Sequence, residues 1–170
     1  MTFQRPGESF GGKGAWEMET SATERVRVVG PGQTYIGKQG FTYGAGASSE
    51  TVGAERICMN VLPMPDGRRA NAHYHRGVET ISYLLEGNCA VYYGETLECR
   101  VDVRCGEQIF IPADVPHAPS NESGAPCTWI VVHASGSDQD GIVLCHTSMK
   151  RSWRRCKTLA DRAETPRVEH

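Results

Sequence analysis

Short apolar segments recur along this chain, and polar and turn residues separate them. In residues 128–133, for example, Trp129, Val131 and His133 fall on one face of an extended segment and Thr128, Ile130 and Val132 on the other, and either face could line a core. Such segments are short and are bounded by turn residues, which predicts β-strands joined by tight turns. The predicted strands are 24–29, 33–36, 41–43, 56–62, 70–75, 80–85, 89–93, 97–103, 108–111, 127–133 and 142–146.

Composition is typical of one β-rich domain. The 170 residues include 19 Gly and 9 Pro, which suits many short strands. This length supports one core of ordinary size, and no internal repeat is present. We therefore expect a single barrel at residues 25–149. Residues 1–24, rich in Gly, Ser, Thr and Glu, are expected to form a flexible lead-in, and residues 150–170 a basic tail.

Charge and hydropathy exclude several function classes. Residues 1–149 carry 11 basic and 17 acidic side chains, whereas residues 150–170 carry 7 basic and 3 acidic ones. An acidic body is not typical of nucleic-acid binders, and we interpret the tail as a solvated terminus. The sequence has neither an apolar run long enough for a membrane span nor the apolar start of a signal peptide. We expect a cytoplasmic protein whose seven cysteines, which lack Cys-x-x-Cys spacing, are free thiols.

Two segments carry candidate metal ligands. His73 and His75 share one face of a predicted strand, so their imidazoles can bind one ion. Glu79 follows a bend at Gly77 that can direct its carboxylate towards the pair. His117 comes from the segment 112–117, which two prolines stiffen. Three imidazoles and a carboxylate suit Fe(II), Mn(II), Ni(II), Cu(II) or Zn(II), and fit Ca or Mg poorly.

These ligands lie in two motifs that resemble those of the cupins. The first cupin motif is Gly, five residues, His, one, His, three or four, Glu, six, Gly. The second is Gly, five residues, Pro, one, Gly, two, His, three, Asn. The chain matches the first motif at Gly67, His73, His75, Glu79 and Gly87, and the second at Gly106, Pro112, Asp114, His117 and Asn121.

The resemblance implies an all-β fold, the double-stranded β-helix or jelly-roll barrel, here preceded by extra N-terminal strands. Asp114 replaces a turn Gly of the second motif, and Asp tolerates such turns better than most residues. We interpret Asn121 as a turn or backbone-pairing residue.

The position of the carboxylate ligand stays open. Seven residues, not six, separate Glu79 from Gly87, so a register counted from Gly87 places Thr80 at the Glu position of the motif. The segment 75–80 also resembles the pirin branch of the cupins, where a Glu two residues beyond the second-motif His is the ligand. This chain has Pro119 there. The site is therefore either His73, His75, Glu79 and His117, or the three histidines plus water.

The resemblance implies a small-molecule ligand inside the barrel. We favour a non-haem Fe(II) dioxygenase, and the alternatives are an isomerase or lyase with Zn(II) or Mn(II), or a barrel that binds a ligand without turnover. The only basic residues near the motifs are four arginines, and two of them lie in a predicted turn. Few cations are therefore expected to face a bound phosphate, which favours an uncharged or carboxylate substrate over a phosphosugar. His133 is a candidate substrate contact, although we favour a role as the last residue of a strand. The N-terminal strands suggest a homodimer paired at a sheet edge.

Overall fold

The computed structural model describes residues 25–145, which form two antiparallel sheets and one short helix. The predicted N-terminal segment 1–24 and the basic tail 150–170 lie outside the described residues. The elements are β1 Thr34–Ile36, β2 Thr42–Ala47, α1 Ser49–Val52, β3 Cys58–Met64, β4 His73–His75, β5 Thr80–Glu86, β6 Asn88–Tyr93, β7 Cys99–Arg104, β8 Gln108–Ile111, β9 His117–Ser120, β10 Cys127–His133 and β11 Ile142–Leu144.

The two sheets form the sandwich of a jelly-roll barrel. One sheet has the strand order β1-β2-β3-β10-β5-β8 and the other the order β11-β4-β9-β6-β7. Neighbours within each sheet that are not consecutive in sequence show that the chain crosses repeatedly between the sheets, as in a double-stranded β-helix. The predicted fold class is confirmed. The extra N-terminal strands β1 and β2 continue the first sheet beside β3 of the same chain.

The main core lies between the sheets, and alternate residues of the strands face it. In β10 every second residue is buried, from Cys127 through Trp129 and Val131 to His133. Burial of each large apolar side chain contributes about 1.5–3 kcal/mol. The larger members of this core are Phe41, Tyr43, Leu62, Met64, Leu84, Val91, Val103 and Trp129.

Two motif residues have the structural roles expected of them. Asp114 has φ 64°, so it adopts the left-handed conformation of the glycine it replaces. Asn121 is fully buried and its amide nitrogen donates to the carbonyls of Met64 at 3.0 Å and Ala125 at 2.8 Å. It therefore pairs otherwise unsatisfied backbone groups at a turn.

Apart from strand ends that differ by a few residues, the predicted and observed elements differ in three places. Residues 25–29 form no strand. The side chains of Val26 and Val28 are almost fully exposed, so these apolar residues do not pack against the core of the described residues. Strand β9 and helix α1 were not predicted. No helix within residues 25–145 is both long and apolar enough to cross a membrane.

Candidate metal centre

Strand β4 turns both of its histidines into the barrel. His73 and His75 are buried, whereas Tyr74 between them is partly exposed, as the alternation predicts. His117 opens β9 and is the register partner of His73, so the two motifs meet across one strand pair. The carbonyl of Asn121 also accepts a hydrogen bond from the Gly67 amide at 2.9 Å, which ties the ends of the two motifs together.

The three histidines converge on one point. Each offers a ligand atom, and these atoms all lie within 4.8 Å of one another. The ring centroids of His73 and His117 are 4.3 Å apart, and that of His75 lies 5.2 Å and 5.6 Å from them. Within the described residues, these three histidines are the group of His, Cys, Asp or Glu side chains whose ligand atoms lie close enough together to hold one metal ion.

Backbone carbonyls fix the tautomers of two of these rings. The Nδ1 of His73 lies 2.7 Å from the Asn71 carbonyl and the Nδ1 of His117 lies 2.9 Å from the Val115 carbonyl. A carbonyl only accepts, so each Nδ1 carries the hydrogen and each Nε2 keeps its lone pair. The Nδ1 of His75 is buried without a hydrogen-bond partner, an arrangement that coordination to a metal would relieve.

Burial also keeps the imidazoles neutral, as metal ligands must be. Loss of hydration is the main cause that lowers the pKa of His73 well below its usual range, and it lowers the pKa of His75 to about 3. It lowers the pKa of His117 as well. Three neutral donors with converging nitrogens therefore fit a divalent transition metal, and a hard cation such as Ca²⁺ fits them poorly.

The acidic residue of the motif stands apart from this cluster. Glu79 is exposed just before β5 and is not among the grouped ligand atoms. Thr80, the next residue, is buried and lines the cavity beside the histidines. Thr80, the residue at the Glu position of the motif when it is counted from Gly87, is therefore the one that faces the cavity. The role of Glu79 as a metal ligand stays a prediction.

A fourth histidine lies beside the cluster. His133, at the end of β10, is buried, and its ring centroid is 4.5 Å from that of His75. Its Nδ1 is 2.8 Å from the Thr80 hydroxyl, and burial lowers its pKa to about 4. It therefore does more than end a strand. The strand alternation placed it on one of two faces, and only the packing of the sheets shows that this face is the inner one.

The cavity around the histidines is small and mainly apolar. Water-sized molecules have about 40 Å³ available in it, which is room for roughly three waters. Among residues 25–145 no Lys or Arg lines it, and the β1–β2 hairpin contributes Gln39 and Tyr43, which sequence reasoning did not identify. Its apolar lining includes Leu62, Val91, Ile109, Ile111, Trp129 and Val131.

Comparison with known proteins agrees with this architecture. Residues 60–133 match the family described as Cupin domain, whereas a search of curated proteins gave no match.

Several solved structures are similar to the chain. The polyketide cyclase RemF from Streptomyces resistomycificus has 21% identity and a TM-score of 0.55, over 79% of this chain and 89% of that one. A predicted oxalate decarboxylase from Thermotoga maritima has 18% identity and a TM-score of 0.51, over 62% and 91%. An uncharacterized conserved protein with a double-stranded beta-helix domain from Klebsiella pneumoniae has 16% identity and a TM-score of 0.50, over 75% and 96%. At these identities the likeness establishes the fold.

Proposed function

Because residues 60–133 form a cupin domain with a buried histidine cluster inside, we propose that this protein is a metal-dependent enzyme acting on a small molecule in the barrel. His73, His75 and His117 would hold a divalent transition metal. The observation that carries the proposal is the pair of backbone carbonyls that fix Nδ1–H of His73 and His117 and leave their Nε2 lone pairs free. Such outer partners are typical of metal-ligating histidines.

The donor set favours catalysis over a structural role. Structural metal sites are closed by four protein ligands, whereas catalytic sites keep a position open for water or substrate. Among the described residues the cluster offers three histidines, and the adjoining cavity has room for water or substrate as further ligands.

A dioxygenase-type oxidoreductase is the reaction class that we propose first. Iron(II), when bound, would supply the chemistry with dioxygen. The chain's own residues would hold the metal, orient the substrate and shield the site from water. Leu62, Val91 and Trp129 keep the wall of the cavity apolar and limit the access of water. Since no Lys or Arg of the described part of the chain lines the cavity, a phosphorylated substrate is disfavoured and an uncharged or carboxylate one is expected.

His133 supports a second candidate, an isomerase or lyase in which zinc or manganese polarises a carbonyl group. Its Nδ1 is held by the Thr80 hydroxyl, so its ring has a fixed position beside His75. The low pKa leaves the imidazole neutral at physiological pH, and a neutral imidazole can accept a proton from a substrate carbon. In this version His133 is the general base.

The first test is elemental analysis of untagged protein purified without chelators, beside a His73→Ala, His75→Ala double variant. We expect near one metal per chain in the parent and almost none in the variant. Absence of metal from both proteins would overturn the proposal and favour a barrel that binds a ligand without turnover.

The identity of the metal and the His133→Gln variant then separate the two reaction classes. Iron together with substrate-dependent oxygen uptake on diketone, catechol or thiol substrates supports the dioxygenase. Zinc or manganese, with turnover that does not consume oxygen and is abolished in His133→Gln at unchanged metal content, supports the isomerase or lyase.

A further inference from the structure

A second, larger cavity lies next to the cavity around His73, His75 and His117, which we call the metal cavity. This outer cleft has a volume of about 300 Å³ and is bounded by β1, helix α1 and the loop after β10. Tyr35 in the cleft stacks on Tyr43 of the metal cavity with ring centroids 5.3 Å apart. The amide of Gln139 in the cleft donates to Gln39 of the metal cavity at 3.4 Å. The side chains that line one cavity therefore contact those that line the other.

The cleft contains a buried carboxylate that no cation neutralises. Asp138 is only 5% exposed, and its Oδ2 accepts hydrogen bonds from the Tyr35 hydroxyl at 2.6 Å and the Gln139 amide at 2.8 Å. Both donors are neutral, and within residues 25–145 no Lys, Arg or His pairs with Asp138. A buried carboxyl group is a favourable partner for a cation, and a cationic ligand in the cleft would supply the pairing that the described residues do not.

A second carboxylate adds to the negative charge of the cleft. Glu50 lines it, and hydrogen bonds from the Ser48 side chain first, then from its own backbone amide and from Ser137, lower its pKa to about 2. Glu50 is therefore ionised at physiological pH. Within residues 25–145 no Lys or Arg lines the cleft, so both acidic side chains are available to a cation that enters it.

An unpartnered donor lines the same cleft. Asn60 is 2% exposed, and its Oδ1 accepts a hydrogen bond from the Gly46 amide at 2.9 Å. Its amide nitrogen is buried with no acceptor, although buried polar groups are almost always paired. An oxygen acceptor on a ligand would satisfy this group.

We infer that the outer cleft binds a small organic cation, an ammonium or guanidinium group, on a molecule that also carries a neutral oxygen acceptor. The cation lies against Asp138 and Glu50, and the oxygen accepts from the Asn60 amide. A bare metal ion is disfavoured, because these carboxylates do not belong to the group of ligand atoms spaced for a metal and the cleft is far larger than an ion. This site does not depend on the metal in the barrel.

The test uses Nα-acetyl-argininamide and Nα-acetyl-lysinamide as probes, with Nα-acetyl-citrullinamide as a neutral analogue of nearly the same shape. Calorimetric titration of the full chain should show binding of one or both cations and at least tenfold weaker binding of the citrulline compound. Asp138→Asn should weaken binding of the cation about tenfold, equivalent to about 1.4 kcal/mol. Glu50→Gln, at an exposed position, should weaken it several-fold, and Asn60→Ala should remove the preference for a probe with an acceptor oxygen over a plain alkylamine.

The control is Glu95→Gln, which removes the same charge from an exposed turn outside the cleft. Circular dichroism checks that each variant is folded, and Glu50→Gln keeps the test decisive should Asp138→Asn unfold. Equal binding of the cationic and neutral probes, no binding of either cation, or equal weakening in Glu95→Gln and Glu50→Gln would each overturn the inference.

Discussion

Two backbone carbonyls decide what the central histidines can do. The carbonyls of Asn71 and Val115 each lie two residues before a histidine and take its Nδ1–H. This local geometry orients His73 and His117 towards each other across the β4–β9 pair. A sequence motif specifies the histidines, and the carbonyls leave the Nε2 atoms of His73 and His117 free to bind a metal.

At this scale the sharpest prediction concerns Glu79. Glu79→Gln should retain the full metal content, because the side chain is exposed and lies outside the histidine cluster. His117→Ala should lower metal affinity more than about 100-fold, since loss of a ligand should exceed the 10–100-fold cost of losing one of its outer partners. Metal content after dialysis against a graded chelator measures both. Loss of metal in Glu79→Gln would restore the four-ligand site that the first motif suggests.

Three of the site residues could be read from the sequence and the others could not. His73, His75 and His117 occupy fixed motif positions, so their types and spacing were sufficient. Thr80 and His133 come together from strands β5 and β10, and their 2.8 Å contact depends on the register between those strands. Register between distant segments is a property of the packed sheet, and no local pattern encodes it.

The buried histidines also predict a pH dependence of stability. Burial holds the pKa of His75 at about 3 and that of His133 at about 4, and it lowers those of His73 and His117. In the unfolded chain each imidazole has a pKa of about 6.5. Below that pH the unfolded state binds more protons than the folded state does. The contribution of the neutral histidines to the free energy of unfolding is therefore fully present above about pH 6.5 and falls as the pH drops towards the pKa values of the folded state.

Urea unfolding of metal-free protein should therefore show a midpoint that decreases between pH 7.5 and pH 5, before most carboxylates titrate. A His75→Gln, His133→Gln double variant should have a shallower dependence. A parent midpoint that stays constant over this range would show that the histidines are not held neutral by the fold.

At the scale of elements, the sequence pattern located most strands but not those with unusual residues. β8 and β10 were predicted with their observed bounds, because each is a short run rich in β-branched and aromatic residues between turn residues. Strand β9 contains Pro119, which cannot donate to a sheet and argues against a strand by sequence alone. Helix α1 has four residues, too few for a helical period to be visible.

The turn glycines that separate the strands differ in what they tolerate. Gly87 has φ 78° and a Cβ there would lie 2.6 Å from the Pro126 carbonyl oxygen and 2.8 Å from the Cys127 Cβ. Gly106 has φ 89° with nothing within 4 Å of the same position. Alanine in the left-handed region costs about 1–2 kcal/mol at either site, but only at Gly87 must backbone also move.

Gly87→Ala should therefore lower the free energy of unfolding by at least about 1 kcal/mol more than Gly106→Ala, a difference of the size that overpacking causes. Urea unfolding of both variants in parallel measures it, with Gly106→Ala as the control for backbone strain. Equal losses in the two variants would mean that the β5–β6 turn shifts freely and does not fix the strand that carries Thr80.

At the scale of the whole molecule, the outer face of the six-stranded sheet is apolar. Met59, Val132, Ile81 and Phe110 are successive neighbours across β3, β10, β5 and β8, and Val61, Ile130, Tyr83 and Gln108 form the next row. Met59, Val61, Ile81 and Phe110 are each 40–55% exposed, and neither row contains a charged side chain. At sheet spacings these rows cover roughly 300 Å², which is comparable to the largest apolar patch on a typical monomer, and such patches are often functional.

This face predicts a homodimer in which two copies pack sheet to sheet. Because the rows are uncharged, a two-fold related copy meets no repulsion, and the surrounding strands can supply the rest of the roughly 800 Å² per partner that stable dimers bury. Ile81→Lys should convert the dimer to monomer by placing a desolvated charge at its centre, as measured by analytical ultracentrifugation over a range of concentrations.

Ile36→Lys, on edge strand β1 and outside the two rows, is the matched control and should leave the dimer intact. The sequence alone suggested pairing at the edge formed by the N-terminal strands, and the two variants decide between these interfaces. Dissociation in Ile36→Lys but not in Ile81→Lys would move the interface to the β1 edge, and a monomeric parent at all concentrations would exclude both. The strands that form the apolar face also carry His133 and Thr80, so disruption of a sheet-to-sheet dimer should alter the histidine cavity, whereas disruption at the β1 edge should not.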